Sequence, residues 1–217
     1  MEWLDKYKSY VPTRRFFLEG NTISVLPSSY YISYPEFIKY FRDITKIDKH
    51  NLIIGINFTY GWMPTILDLL TNEYEKALEI LNNAKQGSIN KDELTVLKEL
   101  FNNSLVGTSK LLHFIRPDVF AIWDSRVYRY LTGTEPHDYR ISDINAYLDY
   151  LKFCDYLSKQ EGYDKVHNSI EEKIGYPMKP LRTVELIMYT KGEKPKTPKE
   201  PFLKDNTDFG IMEQGVV

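Results

Sequence analysis

Apolar residues recur along this chain at intervals of three and four, the spacing that lines up one face of an α-helix. The stretch "NEYEKALEILNNAK" (72–85) sets Tyr74, Ala77, Leu78 and Leu81 on one face, with Asn72 placed to cap it. "NKDELTVLKELF" (90–101) repeats the design, with Asn90 capping and Leu94, Leu97 and Phe101 inward. "ISDINAYLDYLKFCDYL" (141–157) aligns Ile141, Ile144, Leu148 and Leu151. Shorter helices are expected over 34–44 and 181–189. The apolar run "HNLIIGINFTYGWMP" (50–64) suits a buried helix or a strand, and the scarcity of alternating segments to pair with it favours helix. Only "NTISVLPSSYYISY" (21–34) reads as extended or strand-like. The pattern predicts a mainly α fold without an internal repeat of solenoid length.

Near Lys191 the texture changes. Pro195, Pro198 and Pro201 stand among lysines and acids, and proline both fixes φ and removes a backbone donor. The expected organisation is one globular domain over 1–190 and a Pro/Lys-rich tail over 191–217, solvated rather than bound to phosphate. Charged residues are 27% of the chain and the hydrophobic set 42%, as in ordinary globular proteins. A net charge of -2 gives no global basic field, so any nucleic-acid surface has to be local. Cys154 is the single cysteine, which excludes an internal disulfide, a four-cysteine iron–sulfur cluster and a cysteine-based structural zinc site. The start "MEWLDKYKSY" lacks a signal-peptide core, and no run approaches the roughly 18 apolar residues of a membrane span. A soluble, cytoplasmic protein with no membrane partner is the expectation.

The segment "NSLVGTSKLLHFIRPDVFAIWDSRVYRYL" (103–131) breaks the routine. Gly107, Thr108 and Ser109 predict a turn, from which Lys110 opens a helix with Leu111, Phe114 and Ile115 on its inner face. Pro117 stops that helix. The apolar run from Val119 to Trp123 then leads without a break into a carboxylate, Asp124. An aspartate there suits the N-cap of a new helix, where it accepts amide hydrogen bonds at the positive end of the helix dipole. Capping and chemistry are compatible at one residue. Arg126 and Arg129, three apart on the new helix, share a face and suit either surface ion pairs or phosphate. His113, between Leu112 and Phe114, is expected to pack in the core. His50, His137 and His167 show no metal-ligand spacing, so no metal site is expected.

Turn, lysine, helix, proline, Val119–Phe120, Asp124, Val127 and Arg129 in this order resemble the helix-hairpin-helix DNA glycosylase superfamily, which includes 8-oxoguanine DNA glycosylase and the endonuclease-III-like enzymes. The resemblance implies a two-lobed helical fold, one lobe built mainly from about 72–135. The other lobe would join N-terminal segments to the C-terminal helices, with a cleft near Asp124 and Lys110. It implies Asp124 as the essential aspartate and Lys110 as the nearest match to the Schiff-base lysine of bifunctional members. It implies Gly107, Thr108, Ser109, Arg126 and Arg129 as DNA contacts. Among 17 tyrosines and three tryptophans, Trp123, Tyr60 and Trp62 are the candidates for a base pocket. DNA is the implied partner, and no cofactor is expected. The chain departs from the family pattern in keeping one hairpin glycine, Gly107, and in a shorter separation of Lys110 from Asp124. Trp123 stands as an insertion before the aspartate, and Ser125–Arg126 replaces the usual Thr–His. The likeness covers residues 103–131 of 217.

The chemistry explains the residue types. Breaking an N-glycosidic bond builds positive charge on the sugar, which a nearby carboxylate stabilises. A lysine of lowered pKa can attack C1′ and form a Schiff base that permits strand cleavage. The base first leaves the duplex stack for a pocket with aromatic walls. The leading expectation is therefore a DNA glycosylase for a damaged or modified base, with or without lyase activity. An oxidised purine is the conservative substrate, and a bulky modified base the alternative that the reshaped segment allows. A non-catalytic DNA-binding module on the same scaffold, and a helical interaction protein unrelated to nucleic acid, remain as competing readings.

Overall fold

The computed structural model describes residues 2–24, 28–63, 65–67 and 73–194. The Asn72 cap and the tail prolines lie outside the described residues. Among the described residues the structure is helical throughout, without strands. In chain order the helices are α1 (Trp3–Tyr10), α2 (Thr13–Asn21), α3 (Ser29–Arg42), α4 (Lys49–Gly61), α5 (Tyr74–Lys85) and α6 (Lys91–Leu100). They continue as α7 (Leu105–Ile115), α8 (Ser125–Thr132), α9 (Asp138–Ile141), α10 (Ile144–Ser158), α11 (Tyr163–Ile174) and α12 (Pro180–Lys191). No helix among the described residues is long and apolar enough to cross a membrane.

The expected cap at Asn90 is present: Asn90 and Glu93 form a reciprocal capping box at α6. Asp48 and Asn51, not singled out in the sequence, form another at α4. The ambiguous run at 50–64 is helical as far as Gly61, and Gly55 is there to admit Phe41, whose ring lies where a side chain at that position would start. The extended reading of 21–34 is corrected. From Ser29 the chain is helical, capped by Ser28, and Tyr34 and Phe41 are buried seven residues apart on one face. That burial, repeated at helical rather than alternating intervals, overrides the β preference of the tyrosines and Ile32.

The turn expected at Gly107–Ser109 is also corrected. It lies earlier, at Phe101–Ser104, with Asn102 and Asn103 in the left-handed region (φ 56° and 49°). Asparagine adopts that conformation more readily than other non-glycine residues, so the turn needs no glycine. Ser104 caps α7 by accepting from the Gly107 amide, and Gly107, Thr108 and Ser109 sit buried inside the helix. Gly107 serves packing: an added Cβ would meet the Tyr60 hydroxyl at 2.5 Å. Lys110 is consequently in the middle of α7 and does not open it.

Around α7 pack α3, α4, α5 and α6, while α12 is packed by α2, α8, α10 and α11, with α1 laid across α8 and α10. One contiguous apolar core runs through both groups. The site described next lies where α7 and α12 face each other.

Candidate active site

The Arg116 carbonyl closes a turn by accepting from the Val119 and Phe120 amides (both 3.1 Å), and from there to Asp124 the chain is non-helical, yet Phe120 to Trp123 are buried. A buried backbone needs partners for its polar groups. Side chains supply them one by one. His113 Nδ1 donates to the Phe120 carbonyl (2.6 Å), Tyr147 to Ala121 (3.3 Å) and Tyr150 to Ile122 (2.9 Å). The Ser109 hydroxyl accepts from the Trp123 amide (3.0 Å) and lies 3.2 Å from its carbonyl. This strap delivers Asp124 to the head of α8 in a fixed pose. Its Oδ1 accepts from the amides of Arg126 and Val127, both at 2.9 Å. Its Oδ2 accepts no hydrogen bond among the described residues, and the carboxylate forms part of the wall of a cavity of about 470 Å³. The question raised by an acid after an apolar run thus has a local answer: the strap is buried, and its end opens into a cavity.

Lys110 lines the same cavity, one residue along α7 from the Ser109 clamp. Its amine is held below the usual lysine range by burial, with Arg182 adding to that and Asp124 and Glu185 opposing it. It lies over the ring of Trp62 at 5.9 Å. Trp62, at the C-terminus of α4, meets Tyr30 of α3 edge-on (5.4 Å). Both line the cavity.

The floor is the part that the sequence pattern did not single out. Arg182 and Glu185, 5% and 1% exposed, form an ion pair on α12 through Nη1 and Oε2. Burial pushes the Glu185 carboxyl up to about 7, Asp124 adding to the rise and Arg182 opposing it. The guanidinium stacks over Tyr34 at 4.7 Å, and its Nε is buried with no hydrogen-bond partner among the described residues. The buried Trp62 indole N–H likewise has no partner among them. The available signal was a charged pair at i, i+3 inside the apolar run of "PLRTVELIMY". Nothing local distinguishes it from a surface pair.

Of the residues expected in the site, Asp124, Lys110, Arg126 and Trp62 are gathered at the cavity. Trp123 and Tyr60 are corrected to the core. Trp123 is fully buried with its indole N–H donating to the Ile141 carbonyl (2.8 Å), and Tyr60 donates to the Phe101 carbonyl (2.8 Å). Gly107, Thr108 and Ser109 are enclosed in α7, and their amides and hydroxyls are used in the cap and the strap clamp. Arg126 and Arg129 share a face as expected. Arg126 stacks on Tyr189 (4.5 Å) and reaches Glu193 (3.4 Å), while Arg129 donates to the Gly192 carbonyl (3.1 Å). His113 is fully buried, as its apolar neighbours suggested.

Among the described residues, no group of three or more histidine, cysteine, aspartate or glutamate side chains is placed to hold a metal ion. The arrangement supplies a carboxylate with one free oxygen, an amine of lowered pKa and aromatic walls, a set suited to stabilising and trapping a cationic sugar carbon. No family model, curated protein or solved structure matches the chain.

Proposed function

We propose that the protein is a DNA glycosylase of helix-hairpin-helix type, acting in the cytoplasm on a damaged or modified base extruded from the duplex. The observation that carries this reading is the meeting of Lys110 and Asp124 at one cavity, from a helix after a tight turn and from the head of the next helix. The turn at Phe101–Ser104 joining α6 to α7 supports the hairpin, displaced from the glycine-bearing stretch. The grouping of helices around α7 and around α12, joined by one shared core, is what favours a two-lobed layout with the cavity where α7 and α12 approach. In the proposed reaction the Asp124 carboxylate stabilises the oxocarbenium-like sugar as the base leaves. Lys110, with its amine already biased toward the neutral form, attacks C1′ if the enzyme has lyase activity. Arg126 lies at the cavity rim, where a phosphate would exchange with Glu193.

The test is base release from duplex and single-stranded DNA carrying a panel of altered bases, read by mass spectrometry, with borohydride in a parallel set. Asp124→Asn keeps a good N-cap, so it is expected to fold normally and to lose release by at least about a hundredfold. Undiminished release by that variant removes Asp124 from the chemistry. A borohydride adduct mapping to Lys110 establishes the lyase, and release without an adduct establishes a monofunctional enzyme.

A second reading, a DNA-binding module without catalysis, is favoured by one observation: the Gly107 and Thr108 amides are spent on the Ser104 cap and leave no phosphate cradle at that stretch. It predicts salt-dependent DNA binding weakened by changes at Arg126 or Arg129, with no base released.

A further inference from the structure

The cavity floor carries a polar pattern that the glycosylase chemistry does not use. A guanidinium has two donor edges. In Arg182, Nη1 is committed to Glu185, while Nε has no partner and Nη2 makes no hydrogen bond among the described residues. Nε–H and one Nη2–H point in parallel from the remaining edge, a fork that matches two neighbouring acceptors in one plane. Beside this fork stand the unpartnered Trp62 N–H, its ring 6.0 Å from the guanidinium, and the Glu185 carboxylate. Burying donors without partners costs about 1–3 kcal/mol each, so two orphans bordering one cavity mark a place where a ligand would complete the structure. Arg182 is also fixed in plane. Tyr34 lies under it, and the Tyr34 hydroxyl is locked to His113 Nε2 at 2.8 Å. Trp62 lies beside the guanidinium with the half-exposed Tyr30 edge-on to it, and both line the cavity.

We propose that Arg182, Glu185 and Trp62 form a recognition subsite for a base whose edge presents two neighbouring acceptors followed by an N–H donor. The inference rests on the glycosylase reading only for the route by which a base reaches the cavity. Cytosine has this edge in O2, N3 and the N4 amino group. Guanine has it in N7, O6 and N1–H. Thymine and adenine alternate acceptor, donor, acceptor along theirs and leave the fork half paired. 8-Oxoguanine fails for the same reason, because its N7 carries a proton. The subsite therefore argues against the oxidised purine as substrate and for a substituted cytosine or guanine. The cavity, about 470 Å³, is within the range of small-molecule sites and leaves room beside a bare ring.

The experiment uses the full chain and two sets of probes. One is the free nucleosides deoxycytidine, deoxyguanosine, thymidine, deoxyadenosine and 8-oxodeoxyguanosine, measured by calorimetry. The other is duplexes carrying each of the same bases on a cleavage-resistant 2′-fluoro sugar, with base release assayed on the normal sugars. Cytosine and guanine probes are expected to bind about tenfold or more tightly than the other three, the discrimination typical of a bidentate pair. Arg182→Lys should erase that preference, and Trp62→Phe, which keeps a stacking ring but removes the N–H, should weaken binding severalfold. Equal binding of all five, no binding at all, or a preference for thymine, adenine or 8-oxoguanine overturns the subsite. The nucleoside preference without base release from any DNA sustains the subsite and removes the glycosylase. Release of thymine or 8-oxoguanine sustains the glycosylase and removes the subsite. Should Arg182→Lys fail to fold, the wild-type preference and Trp62→Phe decide the matter.

Discussion

Two buried polar clusters meet at the ring of Tyr34, and they are built to opposite rules. On one side, His113 has both ring nitrogens engaged: Nδ1 donates to Phe120 and Nε2 accepts from the Tyr34 hydroxyl. A carbonyl only accepts, so the tautomer is fixed and the imidazole is neutral. Burial, helped by Arg182, lowers its pKa to about 3. On the other side, Arg182 and Glu185 form a buried ion pair whose carboxyl is pushed toward its protonated form, and the Arg182 and Trp62 donors have no partner among the described residues. A satisfied network specifies the fold, whereas an unsatisfied one next to a cavity holds binding capacity in reserve. The first cluster holds the strap that carries Asp124. The second lines the cavity that Asp124 also lines.

The largest effect should come from breaking the second cluster at one end. Glu185→Met leaves the Arg182 cation buried alone and is expected to cost about 3–5 kcal/mol in chemical denaturation. The double change Arg182→Met with Glu185→Met should recover most of that, because it removes both desolvated charges together. Equal losses in the single and double variants would mean that the pair holds the fold rather than the cavity.

A finer contrast lies in two stacked tyrosines, Tyr34 and Tyr176, with ring centroids 6.0 Å apart. The Tyr34 hydroxyl is bonded to His113, and the buried Tyr176 hydroxyl has no partner among the described residues. Tyr34→Phe should therefore destabilise by about 1–3 kcal/mol through the orphaned imidazole nitrogen. Tyr176→Phe should leave stability unchanged or raise it by up to about 1 kcal/mol. Thermal melts of the two variants would invert the contrast if both clusters were merely structural.

The smallest signal is in pH, where the clusters oppose each other. His113 has a lowered pKa, so its contribution is complete above the ordinary 6.5 and is lost as pH falls toward about 3. Glu185 has a raised pKa, so the native state holds a proton that the unfolded chain releases. Its contribution is complete below the ordinary 4.5 and is lost as pH rises through about 7. The two slopes, each at most about 1.4 kcal/mol per pH unit, offset one another where the windows overlap. Relative to wild type, Glu185→Gln should make stability fall more steeply toward acid between pH 6.5 and 4.5. His113→Gln should make it fall toward neutral pH. Denaturant midpoints taken across this range would read both.

Much of this was legible in the residues. Capping at Asn90 and Asp124, the periodic faces of α5 and α6, and the core position of His113 follow from rules that act within one turn of helix. The face expected at Ile141, Ile144, Leu148 and Leu151 is corrected: α10 starts at Ile144 and beside it buries Tyr147, Tyr150, Cys154 and Leu157 instead. Of the residues expected at the site, Asp124, Lys110 and Trp62 are brought to one cavity. The site was misread where one residue type serves two purposes. Gly107 reads as a turn glycine and is a packing glycine, because the ring it accommodates, Tyr60, comes from another helix. The true turn uses two asparagines that ordinary composition does not flag. Trp123 and Tyr60 read as candidates for a base pocket, and each instead sits in the core and satisfies a backbone carbonyl distant in sequence.

The sequence by itself determined the helical class, the cap of α6 and the arrival of a carboxylate at the head of α8, because these depend on hydrogen bonds and side-chain faces within a few residues. Only the tertiary structure decided which carbonyl each buried tyrosine and histidine would satisfy, and that Arg182 and Glu185 would lie beneath Lys110 and Asp124. The physical reason is range. Helical periodicity and capping are set by neighbours along the chain, whereas burial, desolvated charge and orphaned donors are set by whichever elements the fold brings alongside.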